Sequence, residues 1–288
     1  MLPFLSVSRP TSPTGRDETG LLPAPKSLRT KFLERIEMTQ VYKNNKSQRK
    51  GLALLITNLH KRDGAERDEE NMEWLLTALG YSVEKHTDLS GKEIEAAVKN
   101  FAALPDHKDS DSTFVVIMSH GNRIDNRDVI KGAGVSYTGP DDYFFVDEIF
   151  TRLNSENCPA LIDKPKVILI QACRGGHPGG VEISDNALDS DAEDSALDSD
   201  AWEHREKDFA CFMSTLPDTA AWRTKSGSHF IIYIVQVFCK WAHDTHIMEL
   251  FGKVTSDMAK RPGREEKKLL PCIERTSLTK KFFLFPGL

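Results

Sequence analysis

Two continuous apolar runs, each ending abruptly in polar residues, constrain the fold of this 288-residue chain most strongly. The first covers residues 114–118 and the second covers residues 167–170. Short runs rich in Val and Ile are typical of strands that are buried on both faces of a parallel sheet. Helical patterns lie before and between these runs. The alternation therefore predicts an α/β fold, a sandwich with a mainly parallel central sheet covered by helices on both faces.

Helical periodicity is clearest before the first apolar run. Met72, Leu75 and Leu76 share one face of a helix predicted over residues 66–79. Ser90 and Glu93 form a capping-box pattern that opens a helix reaching about residue 104. Further helices are predicted over residues 145–154, 227–241 and 245–259, and further strands over residues 52–57, 81–85, 209–214 and 281–285. The helix over residues 227–241 is apolar nearly all round, so we expect cover on several sides.

The polar residues after the two apolar runs carry nucleophile and base chemistry. Gln171-Ala172-Cys173-Arg174-Gly175 follows the second run, and Ser119-His120-Gly121 follows the first. Parallel sheets carry their sites beyond the carboxyl ends of strands, so we expect Cys173 and His120 to meet at one edge. A nearby imidazole can take the proton of a thiol and later protonate a leaving amine. A lone cysteine is more often a small buried hydrophobe, but the complete string favours a catalytic pair.

Composition and charge exclude several functional classes. The net charge is −5, with Lys and Arg scattered along the chain, which argues against nucleic acid as the main partner. No apolar run approaches the roughly 18 residues of a membrane span, and the first residues lack the basic flank of a secretory signal. The five cysteines show no paired spacing. We therefore expect free thiols in a cytoplasmic protein, without a zinc site or another cofactor.

The chain resembles the caspases over residues 51–288, and the inflammatory, interleukin-converting group most closely. The Gln-Ala-Cys-Arg-Gly string with a histidine about 50 residues upstream is a caspase signature, and His120 precedes Cys173 by 53 positions. Residues 109–114, 163–168, 207–209, 221–223 and 283–287 carry the rest of the resemblance. It implies a cysteine endopeptidase that cleaves after Asp. Cys173 would be the nucleophile, His120 the base, and the backbone N–H groups of Cys173 and Gly121 the oxyanion donors.

The resemblance also assigns a substrate pocket. Arg62, Gln171 and Arg223 would bind the carboxylate of the substrate Asp, for which the planar fork of arginine is well suited. Three further residues, Ala220, Ala221 and Trp222, would line the substrate-binding groove beside it. Thr224 and Lys225 stand where many relatives have His-Pro. The sequence therefore does not predict the family's aromatic preference at the fourth substrate position.

Residues 176–205 interrupt the alternation of strands and helices with an acidic segment. Residues 187–192 recur as residues 196–201, and residues 182–200 contain eight acidic side chains. Such a segment cannot bury enough apolar surface to order itself. The resemblance implies a cleavable linker between a large subunit, residues 49–175, and a small subunit, residues 206–288. The predicted cut sites follow Asp200, Asp191 and Asp185.

Residues 1–48 are predicted to be a short, weakly structured leader rather than the recruitment domain of many inflammatory caspases. The predicted partners are protein substrates and a second copy of the chain, paired through the final strand near residues 282–285. Three other functions stay open. A catalytically weak or inactive homologue could act as a decoy or scaffold, and a related protease could cleave after Asn or basic residues. The third is a non-enzymatic α/β binding module.

Overall fold

The computed structural model describes residues 40–43, 50–133, 142–175, 204–217, 219, 221, 223–260 and 269–284. The strands, in chain order, are β1 (Gly51–Thr57), β2 (Tyr81–Thr87), β3 (Thr113–Met118), β4 (Gly121–Ile124), β5 (Arg127–Lys131), β6 (Tyr143–Phe145), β7 (Lys166–Gln171), β8 (Phe209–Met213), β9 (Arg223–Thr224), β10 (Gly227–Ser228) and β11 (Cys272–Glu274). The α-helices are α1 (Ala65–Ala78), α2 (Gly91–Ala102), α3 (Asp147–Leu153), α4 (His229–Trp241) and α5 (Ile247–Ala259).

The central sheet has six strands in the order β11-β8-β7-β3-β1-β2. The pairs β1–β2, β1–β3, β3–β7 and β7–β8 are parallel, and only β11 runs antiparallel to its neighbour β8. The prediction of a mainly parallel sheet is therefore confirmed. Strands from both sides of the acidic segment, β7 and β8, lie next to each other in this sheet.

Helices cover both faces of the sheet, as predicted. Alternate strand residues point to opposite faces, so Val116 and Leu169 pack in one hydrophobic cluster, whereas Val115 and Ile168 pack in another. The first cluster contains the apolar faces of α1, α4 and α5, and the second contains those of α2 and α3. Each helix thus buries an apolar stripe against the sheet.

Local sequence signals account for the starts of α2 and α4. Ser90 caps α2, its side chain accepts a hydrogen bond from the Glu93 N–H, and the Glu93 side chain returns one to the Ser90 N–H, which confirms the predicted capping box. The predicted helix over residues 227–241 begins two residues later, at His229. Gly227 and Ser228 form the short strand β10 instead, and the Ser228 side chain caps α4.

Residues 281–284, the described part of the predicted final strand over residues 281–285, do not join the central sheet, so the prediction is wrong there. Lys281 and Phe283 form only isolated bridges, to Val41 and His246. Phe282 and Leu284 are each 1% exposed, because they pack into the core cluster of α4 and α5. The edge strand is β11, which was not predicted. The expected pairing of two copies through residues 282–285 stays a prediction.

A small antiparallel sheet of β4, β5 and β6 also went unpredicted. Its first strand begins at Gly121, directly after His120, so it extends the chain beyond the carboxyl end of β3. Among the described residues, no helix is long and apolar enough to cross a membrane.

Candidate active site

The ends of β3 and β7 bring His120 and Cys173 to one edge of the sheet. The two strands are paired in register, with Met118 opposite Gln171. The backbone N–H of Ser119 continues the pairing with a 3.1 Å hydrogen bond to the Gln171 carbonyl. His120 and Cys173 each follow their paired strand residue by two positions. This carboxyl edge is where open parallel sheets place binding sites.

Gly121 packs directly against the loop that carries Cys173. A Cβ atom added to Gly121 would lie 2.5 Å from the Cys173 carbonyl oxygen, 2.8 Å from the Ala172 Cβ and 2.9 Å from the Val129 carbonyl oxygen. Only a glycine lets the two backbones approach this closely. The His-Gly and Cys segments therefore share a tight backbone contact.

The thiol of Cys173 is partly exposed and contacts Ala221. The Ala221 backbone N–H donates to Sγ at 3.2 Å, and the Ala221 carbonyl oxygen lies 3.8 Å from the same sulfur. An N–H group that points at sulfur is the contact that a thiolate accepts. Ala221 lies in the second half of the chain, so residues from both sides of the acidic segment meet at the sulfur.

The surroundings of His120 favour the neutral form of its imidazole. Partial burial of the ring lowers the pKa of His120, and the positive charge of Arg62 lowers it further. A hydrogen bond with the His60 backbone opposes these effects. A neutral imidazole can accept a proton, which is the state that a general base requires.

Arg62 is a buried arginine at the same edge, 3% exposed. Its Nη1 donates to the carbonyl oxygens of Asn58 and Met118, at 2.6 and 2.9 Å. Its Nη2 donates to Oε1 of Gln171. Burial first, and then the positive charge of Arg223, lower the pKa of Arg62 to about 9, so the guanidinium remains charged at pH 7.

Arg223 approaches the same amide oxygen from the other side. Its Nη1 donates to Oε1 of Gln171 at 3.2 Å, and its Nε donates to the Asp63 carbonyl oxygen at 2.9 Å. Its Nη2 donates to Oδ2 of Asp68 at 2.7 Å. The predicted carboxylate-binding residues Arg62, Gln171 and Arg223 are thus brought together around one oxygen, two residues before Cys173.

Sequence reasoning missed two polar residues that support this pocket. Asp68 is buried on the apolar face of α1, between Ala65 and Met72. A carboxylate spaced to lie on the apolar face of a helix is a sequence pattern that indicates a buried charge, and such a charge needs a partner. Asn58 links three segments, because its side chain bonds to Ser119 Oγ, the Lys131 carbonyl and the Leu89 N–H. Asn58 follows a strand end, but nothing in its sequence context indicated these partners.

Arg174 anchors the loop that carries Cys173 to two neighbouring strands. Its guanidinium donates to both carboxylate oxygens of Asp128, at 2.9 and 2.7 Å, and to both of Glu274, at 2.7 and 3.0 Å. These two carboxylates raise the pKa of Arg174 despite its burial. The loop is therefore tied to β5 and to the edge strand β11, which a sequence reading could not have paired.

Several predicted site residues lie outside the residues that the structure describes. They are Ala220, Trp222 and the three predicted cut positions, Asp185, Asp191 and Asp200. Within the described part of the chain, no group of three or more His, Cys, Asp or Glu side chains could hold a metal ion. This edge of the sheet carries a thiol, an imidazole and two guanidinium groups.

Comparison with known proteins gives consistent matches. A sequence profile of the caspase domain matches residues 50–283. Caspase b of Danio rerio is 58% identical over 250 residues, which cover 84% of this chain and 58% of that protein. Caspase a of Danio rerio is 45% identical over 287 residues, covering 97% of this chain and 73% of that protein. The crystal structure of caspase-1 from Spodoptera frugiperda matches with a TM-score of 0.68 at 23% identity, covering 85% of this chain and 93% of that chain.

The solved structure supports the fold alone, because its sequence identity is low. The chain spans less than two thirds of the length of some of these relatives, including 58% of caspase b and 61% of caspase-1 of Sus scrofa, to which it is 42% identical. The domain match covers most of the chain, and the site residues Arg62, His120, Cys173 and Arg223 all lie within it. This chain belongs to the caspase family.

Proposed function

We propose that this chain is a cysteine endopeptidase that cleaves protein substrates after Asp. The observation that carries the proposal is the convergence of Arg62 and Arg223 on Oε1 of Gln171, beside Cys173. Two guanidinium groups next to a nucleophile attract a carboxylate, and their forked N–H groups match its geometry. The same positive charge repels Lys and Arg, which disfavours a protease that cleaves after basic residues.

The residues at the sheet edge support a specific sequence of steps. His120 accepts the proton of Cys173, and the sulfur attacks the backbone carbonyl carbon of the substrate Asp. The backbone N–H groups of Cys173 and Gly121 would stabilise the oxyanion of the tetrahedral intermediate. His120 then gives its proton to the leaving amine as the C–N bond breaks. Water hydrolyses the thioester, which restores the thiol.

Activation by cutting within residues 176–205, after Asp200, Asp191 or Asp185, is part of the proposal. The resulting large and small subunits, residues 49–175 and 206–288, would stay associated. Parallel strands β7 and β8 would be hydrogen-bonded across the cut, from Lys166 opposite Phe209 to Ile170 opposite Met213. Both hydrophobic clusters also combine residues from the two sides, and separation would expose them to water.

The proposal includes a homodimer that pairs through β11. This strand forms the edge of the sheet, and Ile273 within it is 38% exposed. An edge strand that carries exposed apolar side chains is a template for pairing with another chain. Changing Ile273 to Asp should shift the chain toward monomer in sedimentation experiments. The same change at Trp74, which is 57% exposed on α1, serves as the control.

We further propose that the chain works in the cytoplasm, in inflammatory signalling or cell death. Two observations support this assignment. The first is the resemblance of its motifs to the inflammatory group. The second is that all five cysteines are free thiols, which persist in a reducing compartment.

The test is cleavage of short fluorogenic peptides that differ only in the residue before the cut. Peptides with Asp should be cleaved, whereas peptides with Asn or Lys should not. Changing Cys173 to Ala should abolish turnover, and changing the exposed Cys239 to Ala should not. Mass spectrometry of both variants reports self-processing in residues 176–205. A folded wild-type chain that cleaves no peptide would favour an inactive homologue that acts as a decoy or scaffold.

A further inference from the structure

Asp68 is a buried carboxylate that accepts a hydrogen bond from Arg223 of the proposed pocket. The residue is 0% exposed, and its Oδ2 accepts a 2.7 Å hydrogen bond from Nη2 of Arg223. The backbone N–H of Ser228 donates to both oxygens, at 2.9 Å to Oδ1 and 3.1 Å to Oδ2. The steps proposed above give Asp68 no role, so its position needs a separate explanation.

Asp68 lies where an unpaired charge would be costly. Its neighbours on the buried face of α1 include Ala65 and Met72. Burial raises the pKa of Asp68, while the Ser228 N–H and the charges of Arg223 and Arg62 oppose that rise. A carboxylate in an apolar setting is tolerated only with such partners. Asp68 and Arg223 therefore stabilise each other at this position.

The backbone around this pair is packed without room for adjustment. Gly64 has φ +71°, and a Cβ atom there would lie 2.7 Å from both the Gly227 nitrogen and the Thr224 carbonyl oxygen. Gly227 has φ +109°, and a Cβ atom there would collide with Oδ1 of Asp68. The turn that carries Arg223 thus rests directly on the start of α1. Asp68 contacts this turn at Gly227, where any larger side chain would collide with the carboxylate.

The pair of Asp68 and Arg223 also bears on the repulsion between two positive charges in the pocket. Arg62 and Arg223 are like charges that donate to the same oxygen of Gln171. Their repulsion favours rotation of Arg223 toward solvent, because its side chain is the more exposed of the two. Asp68 holds the outer edge of the Arg223 guanidinium and offsets that repulsion. Each terminal nitrogen of Arg223 carries two N–H groups, one more than the bond to Gln171 or to Asp68 uses.

We propose that Asp68 is a positioning residue that fixes Arg223 for recognition of the substrate Asp and for its discrimination from Glu. The inference deepens the proposed function and rests on it. Because Gln171 and Asp68 hold the Arg223 guanidinium from two edges, its distance from the Cys173 sulfur is fixed. A fixed distance fits one length of substrate side chain, and we infer that it fits the shorter Asp. Without Asp68, Arg223 gains freedom, and the pocket loses both affinity for Asp and selectivity over the longer Glu.

The experiment compares Asp68→Ala and Asp68→Asn with Glu66→Gln, a charge change on an exposed residue of the same helix. Peptides with Asp or Glu before the cut are assayed for kcat and KM. Enzyme concentration is set by alkylation with iodoacetamide, which does not need the pocket, and the fraction modified at Cys173 is read by peptide mass spectrometry because Cys239 is also an exposed thiol. Asp68→Ala should lower kcat/KM for the Asp peptide by roughly 10- to 100-fold, mainly by raising KM. The ratio of Asp to Glu cleavage should fall about fivefold or more, on the order of the coupling between contacting groups.

Asp68→Asn should give an intermediate loss, because the amide oxygen can still accept from Ser228 but carries no charge. This variant decides the matter if Asp68→Ala does not fold. Folded Asp68 variants with wild-type KM and wild-type Asp selectivity would overturn the inference alone, even if their unfolding temperature falls. A wild-type chain that cleaves no Asp peptide would overturn the proposed function, and the inference with it.

Discussion

Gly121 touches the backbone of Cys173 so closely that a single added methyl group would separate the two segments. A Cβ atom on Gly121 would lie 2.5 Å from the Cys173 carbonyl oxygen. This oxygen belongs to backbone, which cannot move aside as the end of a flexible side chain can. The contact fixes the loop after β7 relative to the start of β4, and hence Cys173 relative to His120.

Gly121→Ala is therefore expected to lower kcat for Asp peptides by about 10²- to 10³-fold, comparable to the loss of one oxyanion donor. The matched control is Gly252→Ala in α5, where an added Cβ atom meets nothing within 4 Å. That control should keep its activity and gain about 0.5–1 kcal/mol in free energy of unfolding, since alanine suits a helix interior better. Equal activity of Gly121→Ala and wild type would show that the contact is not needed.

Replacing Arg223 tests whether charge alone suffices in the pocket. Arg223→Lys keeps the positive charge but loses the fork that contacts Gln171, Asp68 and the Asp63 carbonyl. We expect both Arg223→Lys and Arg223→Ala to lower kcat/KM for Asp peptides by about 10²-fold or more. Arg67→Ala, an exposed arginine on α1, is the control. Full activity of Arg223→Lys would mean that a point charge is enough.

The acid limb of activity should report the imidazole of His120. Its pKa is lowered from the usual 6.5 by partial burial and by Arg62. The neutral base is therefore kept as pH falls through 6.5, and activity is lost only when pH passes below the lowered pKa. The pH dependence of kcat/KM should show a midpoint below 6.5, because this ratio reports the free enzyme. NMR titration of the ring gives an independent value, which should rise in an Arg62→Gln variant.

Lys166 should make stability depend on pH in the alkaline range. This lysine is 1% exposed at the start of β7, and burial lowers its pKa from 10.5 to about 8. Between pH 8 and 10.5 the unfolded chain holds a proton that the folded chain has released. The free energy of unfolding should therefore rise with pH in that window, by up to about 3 kcal/mol relative to Lys166→Met.

Urea unfolding of the two proteins at several pH values between 7 and 10.5 measures this difference. Comparing wild type with Lys166→Met removes the contribution of other titrating groups that both proteins share. A difference in stability that stays constant across the range would show that Lys166 keeps its proton in the folded state.

Local properties could be predicted from the sequence: the periodicity of apolar residues, and the polar residues that follow the ends of the strands. The apolar runs that became β3 and β7 were predicted within a residue or so, and so was the capping box at Ser90. Parallel strands end at one edge, so the adjacency of the segments that carry His120 and Cys173 followed from the strand assignments alone. The caspase motifs extended this prediction to Arg62, Gln171 and Arg223 by resemblance.

Only the tertiary structure decided which distant groups share a partner. Arg62 and Arg223 meet at Gln171 because α1 and the β9–β10 turn pack together through Gly64 and Gly227, a contact without a local signature. The same holds for the edge position of β11 and for the burial of residues 282–284, which look like a strand but pack against helices. Burial and pairing are set by the whole chain. An apolar period of two or of 3.6 residues indicates whether a segment forms a strand or a helix. It does not indicate which other segment packs against it.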